Sequence, residues 1–245
     1  MKFVQFGNRR IHFEIIKKGN RIKTVAIHIN PTGYITVLSP QSLDEESIQK
    51  ILYKRGKWII EKQELIDKNR DANIIKQFVS GESFPYLGRY FRLKVTKPLP
   101  EGEKKCRLVN GRFLIEGNGH SGSENGSSSV KRALIEWYVE HAEEKIKERV
   151  DRFAPLIGKW PASIKIKDQE KRWGSCSRGG IIRFNWKIVM APISVMDYVI
   201  VHELCHLIYP HHSFEFWQKV RSIIPDYEKK RHWLKTNSLQ MDSLS

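Results

Sequence analysis

Apolar residues recur mainly by alternation in the first part of the chain and mainly at three-to-four-residue intervals in the last. Val25, Ile27 and Ile29 alternate with Ala26, His28 and Asn30, and Asn30-Pro31-Thr32-Gly33 turns the chain into Tyr34-Ile35-Thr36-Val37. Alternation buries one face of a strand, so two strands joined by a turn are predicted here. Ser42 and Glu45 form a capping-box pattern ahead of Ile48, Ile51, Leu52, Trp58-Ile59 and Leu65, which predicts one helix over that span. Strand patterning returns with Phe91, Leu93 and Val95. Asn110-Gly111, between Cys106–Val109 and Arg112–Ile115, predicts a hairpin, because both central residues of the tight turn need positive φ.

Residues 117–129 are almost wholly Gly, Ser and Asn with a few other polar residues, and are expected to be a flexible linker or loop. His120 within it is expected to be solvated and without a role. Beyond it, Val130, Ala133-Leu134, Trp137-Tyr138, Ala142, Ile146 and Val150 fall on one face of a long helix. Ile164-Lys165-Ile166 reads as a strand, and Arg172 to Val189 as a hairpin turning at Arg178-Gly179-Gly180. Strands gathered before residue 117 and helices after residue 129 make an α+β chain. The expected organisation is a β-rich region over 1–116 with one helix, the linker over 117–129, and a second region over 130–245.

Val195-Met196-Asp197-Tyr198-Val199-Ile200-Val201 is apolar on nearly every side and predicts a buried helix. It runs directly into His202-Glu203-Leu204-Cys205-His206. On a helix, His202 and His206 stand one turn apart on one face and can reach a single metal ion. Glu203 is rotated by about 100° from His202, which sets its carboxylate beside the metal to take a proton from an activated water. Buried without a partner, these polar groups would each cost desolvation, and one divalent cation serves all three.

A catalytic zinc takes three protein ligands and keeps one position open. Pro210 cannot continue the helix and moves Tyr209 out of helical geometry, so the chain turns just after His206. His211 and His212 both lie within reach beyond that turn. Ser213 is the expected N-cap of a further helix carrying Phe216, Trp217, Val220 and Ile223-Ile224 up to Pro225. His212, held next to that cap, is the expected third ligand.

Three blocks carry a family resemblance. They are His202–His206 with His212-Ser213 and Phe216-Trp217; Lys171-Arg172-Trp173-Gly174-Ser175-Cys176-Ser177 with Ile182-Arg183-Phe184-Asn185-Trp186; and Gly81-Glu82 with Tyr86-Leu87-Gly88 and Leu93. Together they span most of the chain, which resembles the YgjP-type metallopeptidases, a family similar to the SprT-like zinc proteases. The resemblance implies one zinc ion held by His202, His206 and His212, and Glu203 as the catalytic base. It also implies a zincin-like core of active-site helix, small sheet and backing helices over 130–245, with a protein or peptide substrate. The histidine spacing equals that of the metzincins, but these carry glycine where this chain has Tyr209, so the turn before His212 must be made differently. In zincins an edge strand aligns the substrate, and residues 181–189 are expected to be that strand or its neighbour.

Cys176 is a competing ligand, as in peptide deformylases, and thiolate suits zinc or ferrous iron. It is otherwise a small residue in a hairpin strand. Cys205 is expected to pack within the motif helix. Arg172, Tyr198 and His232 are candidate oxyanion donors, and none is assigned.

The formal charge is +16, with 19 Lys/Arg against 9 Asp/Glu in residues 1–100 and 15 against 9 in residues 151–245. A basic N-terminal half suits phosphate backbone, an acidic protein or simple solubility, although no recognisable nucleic-acid-binding motif accompanies it. Three scattered cysteines exclude a disulfide framework and fit a reducing compartment. No apolar run approaches a membrane span, and no signal-peptide core follows Met1, so a cytoplasmic location without a membrane partner is expected. A zinc metallopeptidase is the leading reading. A deformylase-like amide hydrolase and a basic nucleic-acid-associated protein with a structural zinc are its alternatives.

Overall fold

The computed structural model describes residues 2–19, 24–30, 33–68, 76–96, 105–117, 124–169, 172–241 and 244. The chain divides into two compact units, Met1–Ile74 and Ile75–Ser245.

In the first unit, β1 (Lys2–Phe6), β2 (Arg9–Lys17), β3 (Ala26–Ile29) and β4 (Ile35–Ser39) form a sheet in the order β1-β2-β4-β3. The β2–β4 pair is parallel and the other two are antiparallel. Alternate residues Ile11, Phe13, Ile35 and Val37 are fully buried with Ile48, Leu52 and Ile59. These last three come from α1 (Glu45–Lys54) and α2 (Gly56–Lys68), two helices where the sequence predicted one. At the break, a Cβ on Gly56 would lie 2.2 Å from the Phe6 ring, so glycine leaves the room for that ring to pack against the start of α2. The N-cap is Asp44, whose carboxylate accepts from the Ser47 N–H at 3.2 Å, in place of the predicted Ser42 box.

In the second unit, β5 (Ser83–Tyr86), β6 (Arg89–Thr96), β7 (Cys106–Val109) and β8 (Arg112–Glu116) form a sheet in the order β5-β6-β8-β7. The Asn110-Gly111 hairpin forms as predicted, with φ of 47° and 72°. Phe84, Phe113 and Ile115 of this sheet share one core with Trp137 and Tyr138 of α3 (Glu124–Ile157). The β-rich region expected over 1–116 is therefore divided: its later strands pack with the helical part of the chain. Helix α3 begins inside the stretch expected as linker, and the Ser127 hydroxyl donates to the Gln77 carbonyl at 3.0 Å. His120 lies outside the described residues.

The same core continues into a three-stranded sheet of β9 (Ser163–Lys167), β10 (Gly174–Cys176) and β11 (Ile181–Asn185), in the order β10-β11-β9. β11 is antiparallel to β10 and parallel to β9. The strand expected over 181–189 stops at Asn185, whose side chain accepts from the Lys187 N–H at 3.1 Å and caps a 3-10 turn over Trp186–Met190. β11 is thus the central strand, and β10 beside it is an edge. Helices α4 (Ile193–Cys205), α5 (Phe214–Ile223) and α6 (Tyr227–Met241) complete the unit. Among the described residues, no helix is long and apolar enough to cross a membrane.

Two contacts fix where α4 starts and how it lies. The turn between β5 and β6, with positive φ at Leu87 and Gly88, sends the Leu87 N–H to the Val189 carbonyl at 2.7 Å and the Gly88 N–H to Met190 at 3.2 Å. A Cβ on Gly88 would stand 2.8 Å from Pro192 Cα, directly before α4. Deeper in, Arg149 of α3 clasps Asp197 of α4 through two bonds of 2.6 and 2.7 Å, with both residues buried.

Candidate metal centre

The apolar half of α4, from Val195 to Val201, is buried throughout, so the helix cannot rotate without exposing core. That fixes the direction of the next turn. His202 and His206 present their rings on one side, with centroids 4.9 Å apart. The helix ends at Cys205 with His206 as its C-cap. The chain then tightens: Leu207 N–H bonds the Leu204 carbonyl, and both Ile208 and Tyr209 N–H groups bond the Cys205 carbonyl. This short-range turn does what a glycine does in the metzincins, and needs no positive φ at Tyr209.

His206 Nδ1 lies 3.0 Å from the Tyr209 carbonyl. A carbonyl can only accept, so Nδ1 carries the hydrogen and the Nε2 lone pair is free. His212 returns to the same point, its Nε2 3.0 Å from His202 Nε2. One nitrogen from each of His202, His206 and His212 lies within 4.8 Å of the others. Zinc–nitrogen bonds of 2.0–2.1 Å in a tetrahedron place nitrogens about 3.3–3.4 Å apart, so the set is close to that size. Neither His211 nor Cys176 belongs to it. Cys176 Sγ is instead 3.5 Å from the Ser177 carbonyl, and burial raises its pKa.

Phe216 holds the three rings from below, with centroids 5.0, 4.6 and 4.9 Å from those of His202, His206 and His212. Ser213, the predicted N-cap of α5, accepts from the Phe216 N–H and so fixes that ring. Trp217 stacks on His212 at 5.5 Å.

Burial lowers the pKa of all three histidines, that of His202 to about 3, and the neighbouring imidazoles and Arg231 act in the same direction on His202. The rings are therefore neutral near pH 7, the form that ligates metal. Each neutral ring keeps one N–H, so the 3.0 Å contact between His202 Nε2 and His212 Nε2 is a hydrogen bond whose shared proton a cation can replace. Among the described residues, His202 Nδ1 and Glu203 Oε2 are buried without a hydrogen-bond partner. This donor set fits a borderline-soft divalent ion.

Glu203 stands outside the ligand set, buried, and packed on the backbone of Gly174. Burial raises its pKa to about 8, opposed by the charge of Arg172. Of the candidate oxyanion donors, Arg172 is thus felt at Glu203. Tyr198 lies one turn before His202 with ring centroids 5.8 Å apart, and burial raises its pKa to about 12. His232 is exposed on α6, its carbonyl accepting from Thr236. The sequence reading did not single out Gly174 as a neighbour of Glu203, the Arg149–Asp197 pair, or Arg231. Each depends on a contact between distant segments that no local spacing reveals.

A comparison with curated protein sequences gives no significant match. Among solved structures, the metallopeptidase zymogen of Pyrococcus abyssi abylysin is similar over 38% of this chain and 93% of its own, at 19% identity and a TM-score of 0.36. The model of the YgjP-like metallopeptidase domain matches residues 23–237, nearly the whole sequence. On that match the chain belongs to the YgjP-like metallopeptidase family.

Proposed function

We propose that this metallopeptidase is a zinc enzyme in which His202, His206 and His212 hold the ion and Glu203 is the general base. The observation that carries the reading is the convergence of three neutral imidazole nitrogens within 4.8 Å, with a buried carboxylate next to them but outside the set. When bound there, zinc lowers the pKa of a water towards neutrality and polarises the substrate carbonyl. Glu203, whose burial raises its affinity for a proton, would be placed to accept one from such a water and pass it to the leaving amine. The Tyr209 carbonyl keeps His206 in the tautomer that offers Nε2. Helices α3, α4 and α5 with the β9–β11 sheet are read as a zincin-like core. The free edge of β10 is read as the rail for an extended substrate, because its Gly174 lies directly under the base.

The alternatives are weaker on specific grounds. A deformylase-like site would need Cys176 in the ligand set. A structural zinc would need a fourth protein ligand, and among the described residues the set has three. Loss of hydrolysis with full retention of metal in Glu203→Gln is the decisive test. Unchanged activity in that variant rejects the mechanism.

We also keep nucleic acid as a proposed second partner of the basic half. Lys54, Arg55 and Lys57 surround the α1–α2 break without ion pairs among the described residues, flanked by exposed Tyr53 and Trp58. Affinity for single-stranded DNA that falls steeply with salt and is lost on reversing these three charges supports it. Affinity no greater than that of a charge-matched control protein rejects it. Three unpaired thiols are compatible with the cytoplasmic location expected from the sequence.

A further inference from the structure

Arg231 of α6 is exposed, and its guanidinium carbon lies 5.4 Å from the centre of the Trp217 ring. That ring stacks on His212 and lies 5.7 Å from the ring of His202. Tyr227 stacks on Trp217 as well, at 5.0 Å. An aromatic seat of this kind holds a guanidinium in place while leaving its donor fork free.

The carboxylates around Arg231 are already engaged. Glu228 pairs with Arg221, Asp226 with Lys230, and Glu215 accepts from the Ser213 hydroxyl. Arg231 itself has no carboxylate partner among the described residues. Because Trp217 stacks on His212, the cation seated on that ring places a positive charge beside the metal centre.

We infer that Arg231 is a specificity-determining residue that receives a carboxylate of the substrate, so that the enzyme prefers peptides with an anionic group close to the bond it cuts. The inference rests on the peptidase reading above and names the substrate class of that site. The guanidinium is held on Trp217, its carbon 5.4 Å from the centre of a ring that stacks beside His212, and so stands at the side of the metal centre. An extended peptide advances about 3.3–3.6 Å per residue, so the group Arg231 can reach lies one or two residues along the chain. A carboxylate matches the fork with two parallel bonds. It can be the side chain of Asp or Glu, or the C-terminus itself.

The test uses the zinc-loaded full chain and peptides that differ only by Glu or Gln at each of the two positions on either side of the cleaved bond, with the C-terminus free or amidated. Two quantities are read: the ratio of kcat/KM between acidic and neutral partners, and the ratio of their affinities for zinc-loaded Glu203→Gln protein by calorimetry. The wild type is expected to favour the carboxylate by about 10-fold or more, the scale of a hydrogen bond to a charged group, mainly through KM. Arg231→Ala brings the ratio to about one, Arg231→Lys restores part of it, and Arg231→Glu reverses it in favour of Lys-containing peptides. A preference that follows the free C-terminus identifies a terminal carboxylate, and one that follows Glu identifies an internal acid. Either supports the inference. Equal ratios in the wild type and Arg231→Ala overturn it. The binding arm separates the two readings: a carboxylate preference that Arg231→Ala abolishes, found together with unchanged hydrolysis by Glu203→Gln, rejects Glu203 as base and leaves Arg231 in its role.

Discussion

Gly174 and Glu203 touch so closely that a methyl group on Gly174 would stand 2.6 Å from Glu203 Cγ and 2.8 Å from Oε1. Gly174 opens β10, and its φ lies outside the left-handed region, so backbone freedom is not the reason for glycine. Room for the carboxylate is. This contact explains why the Trp-Gly-Ser-Cys block and the histidine motif belong together, although 28 positions separate the two residues. The edge strand and the histidine-bearing helix meet at a point where only a hydrogen atom fits.

Gly174→Ala should therefore displace the Glu203 carboxylate while leaving the three histidines in place. The expected result is a protein that retains its metal and loses about 10²-fold in kcat, the scale of a misplacement near 1 Å. Gly179→Ala is the control, since the nearest atom to a Cβ there is 4.0 Å away. Equal activities of the two variants would show that the close packing at Gly174 has no bearing on the base.

Metal content separates the ligand sets. Purified protein should hold about one zinc per chain, measured by elemental analysis after exhaustive dialysis. His202→Ala and His206→Ala should lose it, and His212→Ala should bind it far more weakly. Cys176→Ala should keep it, because its sulfur lies outside the histidine set. Retention in His212→Ala together with loss in Cys176→Ala would transfer the third ligand to the thiol.

Phe216 offers a test of how the ligand cage is held. Its fully buried ring lies within 5.0 Å of all three imidazole centroids. Phe216→Ala removes that support and opens a cavity, a change that costs about 3–5 kcal/mol in typical cores. Zinc affinity should fall along with the melting temperature, and added zinc should recover part of the lost stability by mass action. A destabilised variant with unaltered zinc affinity would make Phe216 a core residue alone.

Much of this arrangement was legible because it is local. Buried Val195–Val201 announces a helix that cannot turn, and the i, i+4 histidines inherit its orientation. Ser213 caps α5 as its position before Phe216 and Trp217 suggested. The Asn110-Gly111 hairpin follows from two residues that tolerate positive φ. What stayed hidden depends on tertiary partners. The close contact at the α1–α2 break involves Phe6, which lies 50 positions before Gly56. The end of β11 at Asn185 depends on a side chain capping its own backbone, and the sequence there still reads as a strand. Helix α3 extends through Gly and Ser because its first turns are tied to Gln77, against their intrinsic preference. Arg231 reads as one cation among four on α6 until Trp217 is seen beneath it.

Arg149 and Asp197 give the last prediction, since they join α3 to the histidine-bearing helix without touching the histidine set. Their two bonds of 2.6 and 2.7 Å join α3 to the first turns of α4, and both groups are buried. Taking two charges out of water costs about as much as their attraction returns, whereas removing one partner strands the other. Asp197→Ala should therefore destabilise the second unit by about 3–5 kcal/mol, because the buried guanidinium of Arg149 keeps only a 3.9 Å contact with half-solvated Glu148. Arg149→Met combined with Asp197→Leu should lie much closer to wild type than either single change. Six of the seven tryptophans fall within residues 75–245, so urea unfolding followed by tryptophan fluorescence reports mainly on that unit. The doubly substituted protein then separates stability from orientation. A clasp that serves only stability predicts a doubly apolar variant with full activity. A clasp that also sets the angle of α4 predicts native-like unfolding with reduced kcat, and that is the expected result, because two bidentate bonds fix an angle that apolar contacts leave free to drift. Additive destabilisation in the double variant would show that the two side chains are not coupled, against the geometry that joins them.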